Sequence, residues 1–564
     1  MARKPPANPQ ANQRRAPANP QAIDARPSAI LQFLEKHSRA LALALILIAT
    51  VRIVATYSVY SHTSDEPAHI ACGVEWLANG VYTWEPQHPP LARVAAALGP
   101  YLIGARPQNT PRIDIYSMTK EGVDILFHGN RYDETLLLAR LGVLPFFWIA
   151  CVVVYWWGLR YFGAAVAVVA LFLFSFLPPI LAHAGLATTD MALTAFLGAA
   201  FLSGSIWITR PTLRSGATFG VCIGLAVLSK FSTLPYFPVS VAIALVCFYL
   251  SERPSLADIA VAVRQRIPSF LVALLAACLL IWAMYRFSYG PTDFGIRLPA
   301  PELYAGIQQV INHNQEGHPG YLLGTIMQNG IWYYFPIVLA VKTPIVFLLL
   351  LGFGVTLALR KPGLEQRAWL PLAFSAGILG VALFSHINIG VRHVLPIYIG
   401  FALLAAIALV RLLETARKFQ WVTTALGIAM LWFAGSSLLS HPDYLPYFNE
   451  LAGAHPENIV VDSDLDWGQD MKRLGARLSR ERAKSVAMLP FLRELPQGAF
   501  GLPPMQTRID VLNPAPGWNA VSLTLWKGNR LGLRFRPQYT PWPDRVALPG
   551  EHIGKGILLW YFQP

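Results

Sequence analysis

Apolar residues recur along this chain in windows of about twenty, the length a helix needs to cross a bilayer core of roughly 30 Å. Such windows fall near 40–60, 136–158, 161–181, 187–208, 215–231, 233–250, 267–287, 336–358, 368–385, 393–411 and 420–440. The pattern predicts a polytopic α-helical membrane protein with about eleven transmembrane helices. The windows at 215–231 and 233–250 are short or proline-containing and stand either as two spans or as one bent pair. Residues 89–105, interrupted by Arg93 and Gly99, are too broken to span and predict an amphipathic helix lying at the interface. Beyond Ser440 the hydropathy drops, and short apolar runs such as Ile459-Val460-Val461 alternate with Pro- and Gly-rich turns. That alternation predicts a small α/β domain over 441–564, outside the membrane.

The first 28 residues are too polar to bury a core, and Pro6-Ala7-Asn8-Pro9-Gln10-Ala11 is repeated as Pro17-Ala18-Asn19-Pro20-Gln21-Ala22. They are expected to form a disordered cytoplasmic tail over 1–28. The transmembrane part then covers 29–440, with long loops at 61–134 and 288–335. The first apolar window lacks a small-residue cleavage site and reads as a retained span.

Composition agrees, with 54% hydrophobic residues, 13% charged residues and a mean hydropathy of +0.43, which excludes an ordinary soluble domain. A net charge of +14 raises the question of nucleic acid, but the basic excess is spread over short loops between spans. Arg160, Arg210, Arg214, Arg253, Arg264, Arg266, Arg360, Lys361, Arg367, Arg411, Arg417 and Lys418 all fall on one side if the N-terminus is cytoplasmic. The expectation is therefore a lipid-bilayer partner and no nucleic acid, with 61–134, 288–335 and 441–564 on the far side. Of five cysteines, four lie in apolar windows and Cys72 stands alone, giving neither a disulfide framework nor metal spacing.

Chemistry concentrates in the long loops. Ser64-Asp65-Glu66-Pro67 sits just past the first span; it either caps a helix or offers a carboxylate pair to a reaction. Asp190 closes His183-Ala184-Gly185-Leu186-Ala187-Thr188-Thr189-Asp190 at the entry of the fourth span, where an acid is costly and marks a functional candidate. Two such carboxylate sites suit a transfer to a hydroxyl, one removing the proton and the other positioning the acceptor or a cation. His88, Lys230, Lys342, Arg392 and His393 share that face. Snorkelling accounts for any one of them; together they suit a phosphate at the bilayer surface. The aromatic run Trp332-Tyr333-Tyr334-Phe335 reads equally as an interfacial belt.

The acidic run Asp462-Ser463-Asp464-Leu465-Asp466-Trp467-Gly468-Gln469-Asp470 places carboxylates at positions one, three, five and nine of a calcium-type loop. Trp467 stands where such a loop needs glycine and Arg473 where it needs glutamate. A solvated start to the helix that follows is the preferred reading, and a cover over the site is the other.

In order, Ser64-Asp65-Glu66-Pro67, Gln87-His88-Pro89-Pro90-Leu91, Ala187-Thr188-Thr189-Asp190, the segment ending Ser229-Lys230, Tyr321-Leu322-Leu323-Gly324, Val341-Lys342-Thr343-Pro344, Gly390-Val391-Arg392-His393 and the acidic run resemble the GT-C glycosyltransferases that use polyprenyl-phosphate sugars. Within these the chain resembles the bacterial protein O-mannosyltransferase-like branch (family 39) and the related aminoarabinose transferases. The resemblance implies a GT-C-like catalytic domain and inversion at the sugar carbon, with Asp65 as base and Glu66 and Asp190 as supports. It implies phosphate contacts from His88, Lys230, Arg392 and His393, with Lys342 weaker. The aminoarabinose branch carries lysine where this chain has His88, which favours a hexose such as mannose. A phosphate leaving group needs no general acid.

The implied partners are a polyprenyl-phosphate-linked sugar and a protein, glycan or lipid acceptor, at the outer face of a bacterial inner membrane. No cofactor is required; a divalent cation joining Asp65 and Asp190 stays open. Two other readings stand beside the enzyme: a transporter or flippase of polyprenyl-linked sugars, and a non-catalytic envelope-assembly subunit.

Overall fold

Apolar windows become helices, and two of those windows break ahead of a proline. The computed structural model describes residues 29–114, 116–360, 367–415 and 419–563. The expected tail at 1–28 lies outside them, as do Lys361, Arg417 and Lys418. A bent pair opens the chain, α1 (Ala29–Lys36) and α2 (Ser38–Val54), 78° apart. Three loop helices follow, α3 (Glu66–Asn79), α4 (Pro90–Leu102) and α5 (Ser117–Phe127), and then the long α6 (Tyr132–Tyr161). The next window splits before Pro178 into α7 (Ala164–Ser175) and α8 (Pro178–Ala184), because proline disfavours helical backbone at the residue ahead of it.

The bundle continues through α9 (Asp190–Thr209), α10 (Leu213–Ser229), α11 (Thr233–Glu252) and α12 (Leu256–Met284). The loop beyond α12 folds as a hairpin, β1 (Tyr289–Pro291) with β2 (Arg297–Pro299), then α13 (Pro301–Glu316) and a second hairpin, β3 (Gly320–Leu322) with β4 (Thr325–Met327). Pro344 divides the eighth window into α14 (Tyr334–Lys342) and α15 (Ile345–Leu359), and α16 (Trp369–Ala382), α17 (Ile397–Thr415) and α18 (Gln420–Leu439) complete the bundle.

Among the described residues six helices (α6, α9, α11, α12, α17 and α18) are long and apolar enough to cross a membrane, or eight if each bent pair is one span. The remaining expected windows are the shorter apolar helices α10, α15 and α16. The windows at 215–231 and 233–250 are two helices with different neighbours, α10 on α9 and α12, and α11 on α16. Gly216 and Gly220 allow the first of these contacts: a Cβ there would stand 2.2 Å from the Ser269 carbonyl oxygen and 2.1 Å from that of Ala273 on α12. Small residues at such spacing let helix backbones approach in a bilayer.

The segment 89–105 does form a helix, α4, but it packs between α3 and α6 with Arg93 only 1% exposed. An arginine at an interface would reach water; this one is buried against Glu85, so α4 belongs to the loop core.

The C-terminal region carries α19 (Met471–Arg480) and a five-stranded mixed sheet of β5 (Val486–Leu489), β6 (Met505–Gln506), β7 (Gly517–Ser522), β8 (Glu551–Ile553) and β9 (Ile557–Phe562), in the order β6-β5-β7-β9-β8. Alternation along β7 and β9 sends Ala520, Ile557 and Leu559 toward Met471, Leu474 and Leu478 of α19. Val521, Leu558 and Trp560 face the other way and pack with Val461, Leu465 and Tyr321.

At one end of the bundle Arg266 donates to the Ile208 carbonyl and Arg367 lies over Tyr161, which pairs with Ser205. The starts of α3 and α9, the end of α10, both hairpins and the C-terminal region gather at the other end.

Candidate active site

The loop between α2 and α3 is held in place by residues from some 400 positions away. The Ser61 amide donates to the Gln469 carbonyl (3.0 Å), the Ser64 amide to that of Trp467 (3.0 Å), and the Ser61 hydroxyl to that of Gly468 (2.9 Å). Helix α3 then begins at Glu66, with Pro67 in its first turn and no side-chain cap. The capping role open to Ser64 and Asp65 is therefore not taken, and both acids are used elsewhere.

Successive residues at a helix start point in different directions, and here that separates two functions. Glu66 is 0% exposed. Its Oε1 accepts from Arg140 Nε (2.9 Å) and the Ala187 amide (2.8 Å), its Oε2 from Arg140 Nη2 (2.8 Å), the Thr63 amide (2.8 Å) and the Thr63 hydroxyl (3.2 Å). Burial alone would raise its pKa, but the Arg140 guanidinium and the amides hold it below the ordinary carboxylate value. Asp65 is 35% exposed along its side chain and meets one partner, Arg392 Nη1, at 2.8 Å. Of the pair, Asp65 alone is open to an incoming group.

Arg392 lies in the 3₁₀ turn Val391–Val394 ahead of α17, its guanidinium 4.2 Å over the Trp467 ring and its Nε without a partner. Asp190 is the first residue of α9, and its Oδ1 accepts from Lys230 Nζ at 2.7 Å. Lys230, just past the C-terminal end of α10, is placed to receive it. Arg392, His393 and His183 lie within electrostatic reach of Asp190. The structure thus brings Asp65, Asp190, Lys230, Arg392 and His393 into one cluster.

His88 stands beside it rather than in it. Its Nδ1 is 3.1 Å from Glu85, and its ring lies 5.4 Å from that of His69. Arg93 closes this neighbourhood with bonds to Glu85, Tyr82 and His69. Burial acts to raise the Glu85 carboxyl, but Arg93 and His88 hold it well below the usual range. Lys342 is not brought in: its Nζ donates to the carbonyls of Leu445 (2.7 Å) and Asp464 (2.6 Å), tying α14 to the segment after α18.

The acidic run overturns one expectation. It is no solvated helix start, because Asp464 and Asp470 are 0% and Asp466 1% exposed. Asp466 accepts from Ser522 and from the Gly468 amide, Asp470 from the amides of Lys555 and Gly556 and from Arg473. Burial pushes both acids up to about 6. Their partners lie on and beside distant strands, so the buried acids dock the sheet domain onto the site. Among the described residues no group of three or more His, Cys, Asp or Glu side chains converges as a metal-holding set. Asp65 and Asp190 each face a cationic side chain, Arg392 and Lys230 respectively.

Sequence reasoning missed Arg140 and Arg93, the counter-ions that fix this loop. Arg140 carried a usable signal, since an ionisable residue inside an apolar window is expensive and demands a partner. His318, within reach of Asp65 and Arg392, carried none, because only the fold places it there; Asp462, within the same reach, belongs to the acidic run for which a cover over the site was the second reading.

No protein-family profile and no curated protein matches this chain. Among solved structures it is similar to ArnT from Cupriavidus metallidurans, in the apo state and bound to undecaprenyl phosphate, at 12% and 13% identity and a TM-score of 0.47. That likeness covers 92% of this chain and 97% of that one. It is also similar to the S. cerevisiae protein O-mannosyltransferase Pmt1-Pmt2 complex bound to the sugar donor (19% identity, TM-score 0.34, 48% of this chain and 37% of that one). A third is the archaeal oligosaccharyltransferase AglB from Archaeoglobus fulgidus, with an inhibitory peptide and a dolichol-phosphate (11% identity, TM-score 0.42, 87% and 70%). Likenesses at this level assign no residue a role.

Proposed function

We propose that this protein is an inverting glycosyltransferase that moves a sugar, a hexose such as mannose, from a polyprenyl-phosphate donor to a hydroxyl acceptor. The loop-rich end of the bundle, taken as the outer face of the inner membrane, is where the transfer occurs. One observation carries the reading. Of twelve buried side-chain polar atoms without a partner among the described residues, six belong to His183, Thr188, Asp190, Arg392, His393 and Asp464. Buried polar atoms are nearly always satisfied, so their concentration here marks a site that water or a ligand completes.

The chemistry follows from the charges. Lys230, Arg392 and His393 hold the donor phosphate, Lys230 as a point charge and Arg392 through its unused donors. The acceptor oxygen bonds to the anomeric carbon while its proton passes to the Asp65 carboxylate. The bond from that carbon to the phosphate oxygen breaks, and its electron pair leaves on the phosphate. Asp190 keeps Lys230 in position, and Glu66 fixes the loop through Arg140. His88, beside the cluster, is a further phosphate contact, and Lys342 supports the site from outside it by tying α14 to the Asp464 carbonyl.

The test is transfer of radiolabelled mannose from polyprenyl-phosphate mannose, and then from other lipid-linked sugars, in washed membranes containing wild type or Asp65→Asn. Transfer by wild type alone supports the assignment. Equal transfer by both removes Asp65 from the mechanism, and lipid-sugar translocation without transfer favours a flippase.

A further inference from the structure

We propose that His69 and Glu85, held side by side by Arg93, form the subsite that grips hydroxyl groups of the transferred sugar, the imidazole donating a hydrogen bond and the carboxylate accepting one. This inference rests on the glycosyl-transfer reading above. Arg93 of α4 offers one edge of its guanidinium to both residues: its Nε donates to His69 Nδ1 at 3.0 Å and its Nη2 to Glu85 Oε2. Those two donors are neighbours on a planar fork, so the imidazole and the carboxylate lie next to each other. His69 is 3% and Glu85 8% exposed.

The shared partner fixes the chemistry of each head. A guanidinium donates and never accepts, so His69 Nδ1 carries no proton and the ring hydrogen sits on Nε2. Burial, with Arg93 and His88 adding to it, holds the ring well below the ordinary histidine pKa and keeps it neutral. Among the described residues Arg93 is the one hydrogen-bond partner of the His69 ring, which leaves the Nε2 hydrogen to be given. Glu85 spends Oε2 on Arg93 and His88 and keeps Oε1 without a partner. The Tyr82 phenol, bound to Arg93 at 2.9 Å, packs 6.2 Å from the ring of Tyr285, whose hydroxyl is unpartnered as well. Glu85 and Arg93 cancel in charge. A free donor beside a free acceptor, with no net charge between them, suits the neutral hydroxyls of a sugar.

The subsite stands where the sugar must lie. His69 is one turn along α3 from Asp65, its amide donating to the Asp65 carbonyl at 3.2 Å, which puts both on one face of the helix. One turn further, Gly73 lets that face press onto α4: a Cβ there would stand 2.1 Å from the Arg93 carbonyl oxygen. The His69 ring meets the His88 ring edge-on, 5.4 Å between centroids. In an inverting displacement the base and the departing group flank the sugar on opposite sides. Asp65 marks the first side and His88 the second, and His69 touches the surroundings of both.

The competing role is structural, since His69 also helps to seat the buried Arg93. Two amides separate the roles. Asparagine sets its oxygen close to the place of Nδ1, so His69→Asn keeps the Arg93 bond and drops the outer donor. Glutamine sets its nitrogen close to the place of Nε2, so His69→Gln keeps the outer donor and gives up the Arg93 bond.

The experiment measures kcat/KM of the full-length protein in lipid nanodiscs with polyprenyl-phosphate mannose and with each of its monodeoxy analogues. The intrinsic reactivity of an analogue cancels when its ratio to mannose is compared between wild type and variant. For at least one analogue, the wild-type preference for mannose should fall about tenfold in His69→Asn and persist in His69→Gln. Glu85→Gln, which turns the free acceptor into a donor, should lose the preference for a hydroxyl likewise. Binding of sugar-free polyprenyl phosphate to His69→Asn should match wild type. Preferences unchanged in His69→Asn, or lost in His69→Gln as well, overturn the subsite, as does weakened binding of sugar-free polyprenyl phosphate. Unchanged preferences in Glu85→Gln overturn its accepting half. A wild type that transfers neither mannose nor any analogue overturns the transferase reading on which the subsite rests.

Discussion

Asp65 and Glu66 are neighbours in sequence, yet the structure predicts opposite consequences of neutralising them. In Glu66→Gln one carboxylate oxygen becomes an amide nitrogen. On the Oε2 side it would face Arg140 Nη2 and the Thr63 amide, both donors at 2.8 Å; on the Oε1 side it would face Arg140 Nε and the Ala187 amide. Either orientation sets donor against donor and leaves Arg140, itself 0% exposed, without a counter-charge. Removing one member of a buried ion pair costs about 3–5 kcal/mol. Asp65→Asn acts on a side chain that is 35% exposed, keeps an oxygen that can accept from Arg392 and leaves Arg392 the nearby Asp190 charge, so the loss is smaller, about 1 kcal/mol. The assay is thermal unfolding of the purified protein in detergent, beside mannose transfer on the same preparation. Glu66→Gln should lower the unfolding midpoint clearly, whereas Asp65→Asn should unfold like wild type and transfer nothing. A Glu66→Gln protein as stable as wild type would refute the division of labour drawn between the two acids.

Lys230→Met should abolish binding of polyprenyl phosphate and, by stranding the buried Asp190, cost about 3–5 kcal/mol; adding Asp190→Leu should restore the unfolding midpoint and not the binding. Gly122→Ala should destabilise by roughly 1–3 kcal/mol and slow transfer, because its Cβ would meet the Pro67 carbonyl oxygen at 1.9 Å; an unchanged midpoint would count against the close α3–α5 contact. His62 bonds Tyr132 and packs against Phe127 and Phe500, and burial pushes its pKa from 6.5 down to about 4. Its contribution is complete above pH 6.5 and is lost as pH falls toward 4, a change of about 2–4 kcal/mol; unfolding midpoints across that interval should show the slope, and His62→Gln should flatten it. Deleting 441–564 should abolish transfer, since Ser61 and Ser64 lose their anchors at Gly468, Gln469 and Trp467; transfer by the truncated protein would show the loop standing alone.

The bundle was legible because its signal is local. A run of apolar residues forms a helix whatever surrounds it, and the breaks ahead of Pro178 and Pro344 fit the proline, although Pro145, Pro238 and Pro268 sit inside the unbroken α6, α11 and α12. Asp65, Asp190, Lys230, Arg392 and His393 also announced themselves, as polar residues at the borders of apolar windows. Which of them pairs with which did not. Arg140 pairs with Glu66 across 74 positions and Arg392 with Asp65 across 327, and no periodicity encodes such a pairing. The acidic run was misread for the same reason: Asp466 and Asp470 look hydrated until Ser522, Lys555 and Gly556 are folded against them.

The three backbone-directed bonds that fasten Ser61 and Ser64 to the Trp467–Gln469 segment also order events in time. The ribosome has finished Asp65 about 400 residues before it makes its anchors, a delay on the order of tens of seconds at ordinary synthesis rates. A newborn chain is therefore inserted into membrane with an incomplete site, and this ordering predicts that it does not consume lipid-linked sugar while still attached to the ribosome. Chains arrested shortly after residue 467, with that position still inside the ribosome, should lack a disulfide between cysteines introduced at Ser64 and Trp467, and released full-length chains should form it; a cross-link already present in the arrested chains would break the timing argument.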